Sequence, residues 1–291
     1  MVSIDESDDT IAAMLRELEQ FVAVATAGTF TAAARRVHLS QPALTAAIQR
    51  LEHEVGAPLF DRGRHGAALT AAGRELLPRA QAALAAFADG KRAVAEITGL
   101  AAGEVRVGGG ATAVTYLLPP ILARFRRARP GIRLSVREGN TDELEQAVDD
   151  GSLDLAIITV DRHRRPGGPL DRLGRHADDE LIVVAGPDTD ARTAPWITFA
   201  PGSPTRALLL ERLPTASVVM ELGSIAAVKA NVRAGIGLAL VSRLAVASDL
   251  ARGSLVEVPF RWSPVRRRLG VRHRGERHLT PAAAALLALL R

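Results

Sequence analysis

The sequence predicts an α/β protein with an N-terminal all-α winged helix-turn-helix, the two parts joined by a long linker helix. Three observations predict it. The first 60 or so residues carry helical periodicity broken by a tight turn. The stretch from Thr70 to about Ile97 runs on with Pro78 as its one interruption. From Glu104 onward, short β-branched runs alternate with helical runs, the pattern of an α/β unit with a parallel sheet. The chain has 291 residues, 47% hydrophobic and 24% charged, an ordinary globular composition with room for two or three cores.

The opening segment "MVSIDESDDT" is acidic and polar, the opposite of a secretory leader, and reads as a flexible tail over 1–13. From Leu15 to Ala27, Leu18, Phe21, Val22 and Ala25 fall at helical spacing, with Gly28 as C-cap. Thr29 suits an N-cap for a short Ala-rich helix through Val37, and His38-Leu39 makes the turn. Ser40 caps the next helix, and Pro42 is tolerated because first-turn amides have no intrahelical acceptor. Leu44, Ile48, Leu51 and Val55 form one apolar face, and Gly56 and Pro58 end the helix.

Two short helices around a tight turn, the second with a polar tip, make a helix-turn-helix, whose second helix enters the major groove. The stretch "HLSQPALTAAIQRLEHEVGAPLFDR" has that tip. Gln41 offers an amide donor and acceptor to a base such as adenine, and Thr45 lies one turn on, within reach of a base or a thymine methyl. The small Ala46 and Ala47 avoid the groove walls. Amides at Ser40 and Gln41, with the helix dipole, favour a phosphate. Alone, "DRGRHGAALT" is more often a solvated loop; beside a helix-turn-helix it reads as a basic hairpin, a wing, in which Arg62, Arg64 and His65 face a phosphate or the minor groove. Arg35 and Arg36 flank the turn, and one of them can pair with Glu52 or Glu54 instead.

From Thr70 a helix over 71–99 follows, with Leu77, Leu84, Phe87 and Val94 near a heptad stripe, fitting a dimer-forming linker. "VRVGGG", "IRLSVREG" and "LDLAIIT" then read as strands and "YLLPPILARFRRA" and "DELEQAVDDG" as helices. "ELIVVAG", "WITFAPG", "ASVVMEL", "GLALVS" and "LVEVPF" continue the pattern. "LGVRHR" is a late strand, and "TPAAAALLALLR" a helix capped by Thr280.

Composition excludes several classes. With no cysteine there is no disulfide, thiolate metal site or cysteine nucleophile. The seven histidines lack metal-hydrolase spacing, and no Gly-x-Ser-x-Gly elbow occurs. "GGGATA" after a strand raises a nucleotide fold, but the next helix carries Pro119-Pro120 and no acidic residue stands where a ribose would need it; glycine triplets there more often make tight turns. No run of about 18 apolar residues is present, so no membrane partner is expected. The net charge is +5, with residues 31–79 and 261–291 as two basic regions; only Lys91 and Lys229 are lysines.

The run "FVAVATAGTFTAAARRVHLSQPALTAAIQRLEHEVGAPLFDRGRHGAALTAAGRELLPRA" resembles the N-terminal region of LysR-type transcriptional regulators. It shares Phe30, the Ala-Ala pair, Ser-Gln-Pro-Ala, Arg50-Leu51-Glu52, Pro58-Leu59-Phe60 and Leu69-Thr70-x-x-Gly73. Where that family often carries a basic or amide residue just after Thr45 and another basic residue before Arg50, this chain has Ala46, Ala47 and Gln49. "YLLPPILARFRRARPGIRLSVREGNTDELEQAVDDGSLDLAII" and "NVRAGIGLALVS" are similar to the family's effector domain, which is two-lobed and periplasmic-binding-protein-like.

The resemblance implies a winged helix-turn-helix over 14–70, a dimerising linker over 71–99 and an effector domain over 104–291. Lobe I would cover about 104–178 and 263–291, and lobe II about 179–262. DNA contacts are expected from Thr31, Arg35, Ser40, Gln41, Pro42, Thr45, Gln49, Arg50, Arg62, Arg64 and His65. Small ligands of α/β folds sit beyond strand ends near helix N-termini. There stand Thr112, Thr115, Asn140, Thr141, Gly202, Ser203, Thr205 and Ser224, suited to a small anion; the alternative is that each hydroxyl or amide caps its helix. The expected protein is a cytoplasmic regulator, not an enzyme and without a cofactor. Its partners would be double-stranded DNA, a small-molecule effector, its own copies as homodimer or homotetramer, and RNA polymerase if it activates. The competing reading is a solute-binding or enzyme-like α/β domain fused to a helix-turn-helix. The long basic loop around 161–180 has no assigned role.

Overall fold

The computed structural model describes residues 4–61, 67–97, 103–160, 168–174 and 178–291. It divides into two compact units, the first essentially up to Val94 and the second from Ala95.

In the first unit, helix α1 (Ile4–Ala27) begins inside the segment expected to be a flexible tail. Acidic residue types in the opening turns of a helix complement its dipole, which favours continuing the helix backward. Gly28 takes the left-handed conformation, φ 68°, that ends it. Helix α2 (Phe30–Arg36) is capped by Thr29, whose Oγ1 accepts from Ala32 N at 3.2 Å. His38 turns the chain at φ 56°. Helix α3 (Gln41–Val55) is capped by Ser40, whose Oγ accepts from Ala43 N at 3.3 Å, and stops at the left-handed Gly56. Strands β1 (Phe60–Asp61) and β2 (Ala68–Leu69) pair antiparallel as the base of the wing.

The core of this unit gathers Phe21, Leu44, Ile48, Leu51 and Leu59 around Phe60. The Phe60 ring lies 5.5 Å from both Phe21 and Phe30, so the wing's base is locked onto the helices by aromatic contact. Helix α4 (Ala71–Ile97) starts at Thr70, whose Oγ1 donates to Pro58 O at 2.7 Å and accepts from Gly73 N at 3.0 Å. A Cβ on Gly73 would sit 2.2 Å from Leu59 O, so only glycine lets α4 leave at this place.

The second unit opens with β3 (Glu104–Gly109), a π-helical turn at Ala113–Leu117 and α5 (Leu118–Ala128). Then come β4 (Arg133–Glu138), α6 (Thr141–Asp149), β5 (Leu155–Val160), β6 (Leu170–Arg172) and β7 (Asp178–Ala185). Next are β8 (Trp196–Phe199), α7 (Pro204–Arg212), β9 (Val218–Leu222), α8 (Ile225–Arg233) and β10 (Ala239–Ser242). Last are α9 (Arg243–Ala251), β11 (Val256–Glu257), β12 (Val265–Arg272) and α10 (Pro281–Leu290).

The parallel sheet expected from the alternation forms in part. β3 pairs parallel with β4 and β5, and β8 with β9. β12 instead runs antiparallel to both β5 and β7, and β10 and β11 antiparallel to β7, so the larger sheet is mixed, in the order β10-β7-β12-β5-β3-β4. The late strand is also longer than "LGVRHR": its Arg-rich first half, Val265–Arg268, pairs with β7, and its second half, Arg268–Arg272, with β5. One strand is thereby shared by two halves of the unit. One core packs α5 and α10 on β3 and β5. Others lie around β7, β8 and β10.

The glycine triplet is not a tight turn throughout. Gly108 and Gly109 belong to β3, and a Cβ on Gly108 would meet Leu153 and Leu144 side chains at 2.5 and 2.6 Å. Close packing, not phosphate binding, accounts for it.

Candidate DNA-binding face and effector cavity

Helix α3 divides sharply between its faces. Leu44, Ala47, Ile48 and Leu51 are buried, while Gln41, Pro42, Ala43, Ala46, Gln49 and Arg50 are exposed. Ala47 was expected beside Ala46 at the groove but belongs to the core, because it follows Leu44 and Ile48 onto the packed face. Thr45 is half-buried, and its Oγ1 donates to Gln41 O at 2.9 Å. That bond takes the hydroxyl proton and leaves its methyl group and an oxygen lone pair for a base.

Around this tip, Thr31, Arg35 and Arg36 are exposed. Neither arginine pairs with Glu52, because Glu52 Oε1 accepts instead from Leu59 N at 2.7 Å and Phe60 N at 3.3 Å, tying α3 to the wing. Arg50 Nε lies 2.7 Å from Glu17 Oε1, so its charge is partly matched within the unit. The wing residues Arg62, Arg64 and His65 lie outside the described residues.

In the second unit a cavity of about 410 Å³ is lined by the ends of β3, β4 and β8 and the starts of α6, α7 and α8. Of the residues expected to meet an effector, Thr112, Asn140, Thr141, Gly202, Ser203 and Thr205 line it. Two expected residues do not. Thr115 is exposed on the π-helical turn. Ser224 spends its hydroxyl on capping α8, accepting from Ala227 N at 3.2 Å.

The capping alternative therefore holds for some residues and not for others. Asn140 caps α6: its Oδ1 accepts from Glu143 N at 2.9 Å, and Glu143 Oε2 accepts from Asn140 N at 3.2 Å, a reciprocal capping box. Ser203 makes no side-chain cap bond, and neither does Thr112. The Thr112 hydroxyl accepts from Arg267 Nη2 at 3.1 Å.

Arg267 is the residue that local sequence reading missed. Its Nε donates to Asp179 Oδ2 at 2.7 Å, and Ser242 Oγ donates to Asp179 Oδ1 at 2.8 Å. The Asp179 side chain is fully buried. A chain of polar contacts thus runs Thr112–Arg267–Asp179–Ser242, of which Thr112, Arg267 and Ser242 line the cavity. The available signal was "RRRL", three arginines entering a strand. They face three acids of β7 in register: Arg266 with Glu180, Arg267 with Asp179 and Arg268 with Asp178. Part of the basic region 261–291 is in this way matched inside the unit, through these three arginines and Arg291, which lies 2.5 Å from Asp171. Of the basic 161–180 loop, residues 161–167 and 175–177 lie outside the described residues.

No helix among the described residues is long and apolar enough to cross a membrane, and no group of metal-binding side chains stands among them.

These features have counterparts in known proteins. Residues 15–74 match the family described as bacterial regulatory helix-turn-helix protein, lysR family, and residues 98–291 match the LysR substrate binding domain. The chain is 34% identical to the HTH-type transcriptional regulator CbbR of Xanthobacter flavus, over 95% of this chain and 86% of that protein. It is 33% identical to the HTH-type transcriptional regulator YeiE of Escherichia coli K12, over 94% and 95%. Among solved structures it is similar to a cysteine-to-aspartate variant of full-length OxyR from Pseudomonas aeruginosa, with a TM-score of 0.64, 25% identity and 95% and 93% of the two chains covered. The relatives are regulators rather than enzymes. The chain belongs to the LysR family: it is a DNA-binding transcriptional regulator with a small-molecule effector domain.

Proposed function

We propose that this regulator reads its operator with the N-terminal turn of α3. The observation that carries the reading is the split of that helix, a polar, small-residue tip held out by a fully packed opposite face. Gln41 takes the base contact, Thr45 offers a methyl group one turn on, and Ser40, Pro42 and the first-turn amides seat a phosphate. Thr31 and Arg35 on α2, Gln49 and Arg50 on α3, and the wing residues Arg62, Arg64 and His65 supply further contacts.

Phe87 and Val94 are more than half exposed on α4. Two such helices can cover one another, which supports a homodimer through α4 and, by pairing of dimers, a homotetramer. The protein works in the cytoplasm on double-stranded DNA, and engages RNA polymerase where it activates. The cavity over Thr112, Thr141, Ser203 and Thr205 receives the effector. Because β12 pairs with both β5 and β7, a ligand that favours one arrangement of the two halves shifts their equilibrium by its difference in affinity.

The test is selection of genomic fragments by the purified protein, followed by footprinting and light scattering. A protected site of two half-sites about one helical turn or a multiple apart, with a dimer or larger species, is the expected result. Retention of random fragments with no footprint would refute the reading.

A further inference from the structure

Glu17 is a charged residue on a packed face. It stands one turn before the fully buried Phe21 on α1, and its own side chain is only 11% exposed. Its partner is Arg50 of α3, whose Nε donates to Glu17 Oε1 at 2.7 Å. That bond uses one of the five donors of a guanidinium. Nη1 and Nη2 of Arg50 have no partner among the described residues, and the Arg50 side chain is 63% exposed. The arginine is thus held at Nε while its two Nη groups stay open. Its place on the helix matters too. Pro42, Ala46 and Arg50 recur every four residues on the exposed side of α3. Eight residues at the helical rise put Arg50 about 12 Å behind Pro42, more than the roughly 8.5 Å depth of a major groove. A helix whose tip touches base edges therefore carries Arg50 at the level of the phosphates.

We propose that Glu17 is a positioning residue for DNA binding, holding the guanidinium of Arg50 by its Nε so that Nη1 and Nη2 are presented to a backbone phosphate. This rests on the reading that Arg50 contacts DNA. The reason is the cost of ordering. A free arginine loses rotamer freedom when it binds, and one already fixed at Nε loses less. Its planar fork then offers paired N–H groups to phosphate oxygens. The carboxylate also places a negative charge behind the arginine, which opposes the approach of DNA. The two effects run in opposite directions, and they separate chemically. A glutamine at this place keeps an acceptor for Nε without the charge, whereas a methionine of similar volume removes both. The difference between those two neutral variants reports the holding of Arg50 alone.

The experiment is fluorescence anisotropy of a labelled random-sequence duplex with the full-length protein, over about 50–200 mM salt. A phosphate contact does not depend on sequence, so no operator is needed. The variants are Glu17→Gln and Glu17→Met, each alone and combined with Arg50→Ala, and Arg50→Ala by itself. The expected result is that Arg50→Ala lowers the slope of log affinity against log salt by about one unit. Glu17→Gln should bind at least threefold more tightly than Glu17→Met, and that difference should vanish when Arg50→Ala is added. A purely structural tie between α1 and α3 would shift the melting temperature of the two Glu17 variants without this dependence on Arg50. Should Glu17→Met fail to fold, Glu17→Leu replaces it, since it also lacks the acceptor. Equal affinities of the Gln and Met variants, or a difference that persists beside Arg50→Ala, overturns the proposal while leaving Arg50 a DNA contact. A native salt slope in Arg50→Ala overturns it differently, by removing Arg50 from the DNA-binding face.

Discussion

Lys229 Nζ on α8 lies 2.7 Å from Asp249 Oδ2 on α9, with both side chains nearly closed off from solvent, and the same ammonium sits 5.1 Å over the ring of Tyr116. Arg233 and Arg252 approach the other carboxylate oxygen at 3.2 and 3.4 Å. Burial works to raise the Asp249 pKa, but bonding to Lys229, the charges of Lys229 and Arg233, and the Ser254 hydroxyl together bring it below the ordinary carboxylate value. A depressed folded pKa contributes stability that is fully present above the unfolded value near 3.9 and is lost as pH falls through the lower folded value.

Asp249→Asn should therefore destabilise the protein by about 3 kcal/mol near neutral pH, since it leaves Lys229 buried without its carboxylate. Its deficit against the native protein should begin to shrink below about pH 4, where the carboxylate of the unfolded chain takes up a proton, and close as pH falls through the lower folded value. Urea midpoints measured from pH 3 to 7 check this. Curves that stay parallel down to pH 3 would show that Asp249 is not the titrating group.

Gly73→Ala places a methyl group 2.2 Å from Leu59 O. Backbone must yield, so a loss of about 1–3 kcal/mol is expected. DNA affinity should fall with it, because Thr70, bonded to Pro58 O and Leu59 O, joins α4 to the wing. Thermal unfolding and fluorescence anisotropy measure the two effects, and an unchanged melting temperature would mean that the approach is looser than described.

Gln41→Ala removes the amide at the exposed tip of α3. Specific binding should weaken by about 1–3 kcal/mol, with non-specific affinity nearly unmoved. Equal losses on operator and random DNA, read by anisotropy, would assign Gln41 to the phosphate backbone instead.

Arg62→Ala and Arg64→Ala should each weaken binding to all DNA and lower the slope of log affinity against log salt by about one unit. A salt titration with native slope would make the wing a solvated loop.

The sequence by itself determined what short-range physics determines. Thr29, Ser40, Thr70 and Thr280 were legible as caps, because a cap is read from a hydroxyl and the few residues after it. The apolar face of α3 and most of the α/β alternation were legible for the same reason, and the helix-turn-helix with them. Helix α9 was missed: its apolar residues follow β10 without a break that separates the two patterns. At the cavity, the sequence singled out hydroxyls beyond strand ends, and six of the eight expected residues line it.

Only the tertiary structure decided which of them is spent. Asn140 and Ser224 bond their own helices, whereas Thr112 accepts from Arg267, 155 residues away. The direction of β12 and its division between β7 and β5 were likewise outside the local pattern, as was the matching of Arg266, Arg267 and Arg268 with three acids of β7. Periodicity reports which residues share a face over a few turns or strand residues. Strand order, register and ion-pair partners are fixed by contacts between distant segments, whose energies appear only once the chain has closed on itself.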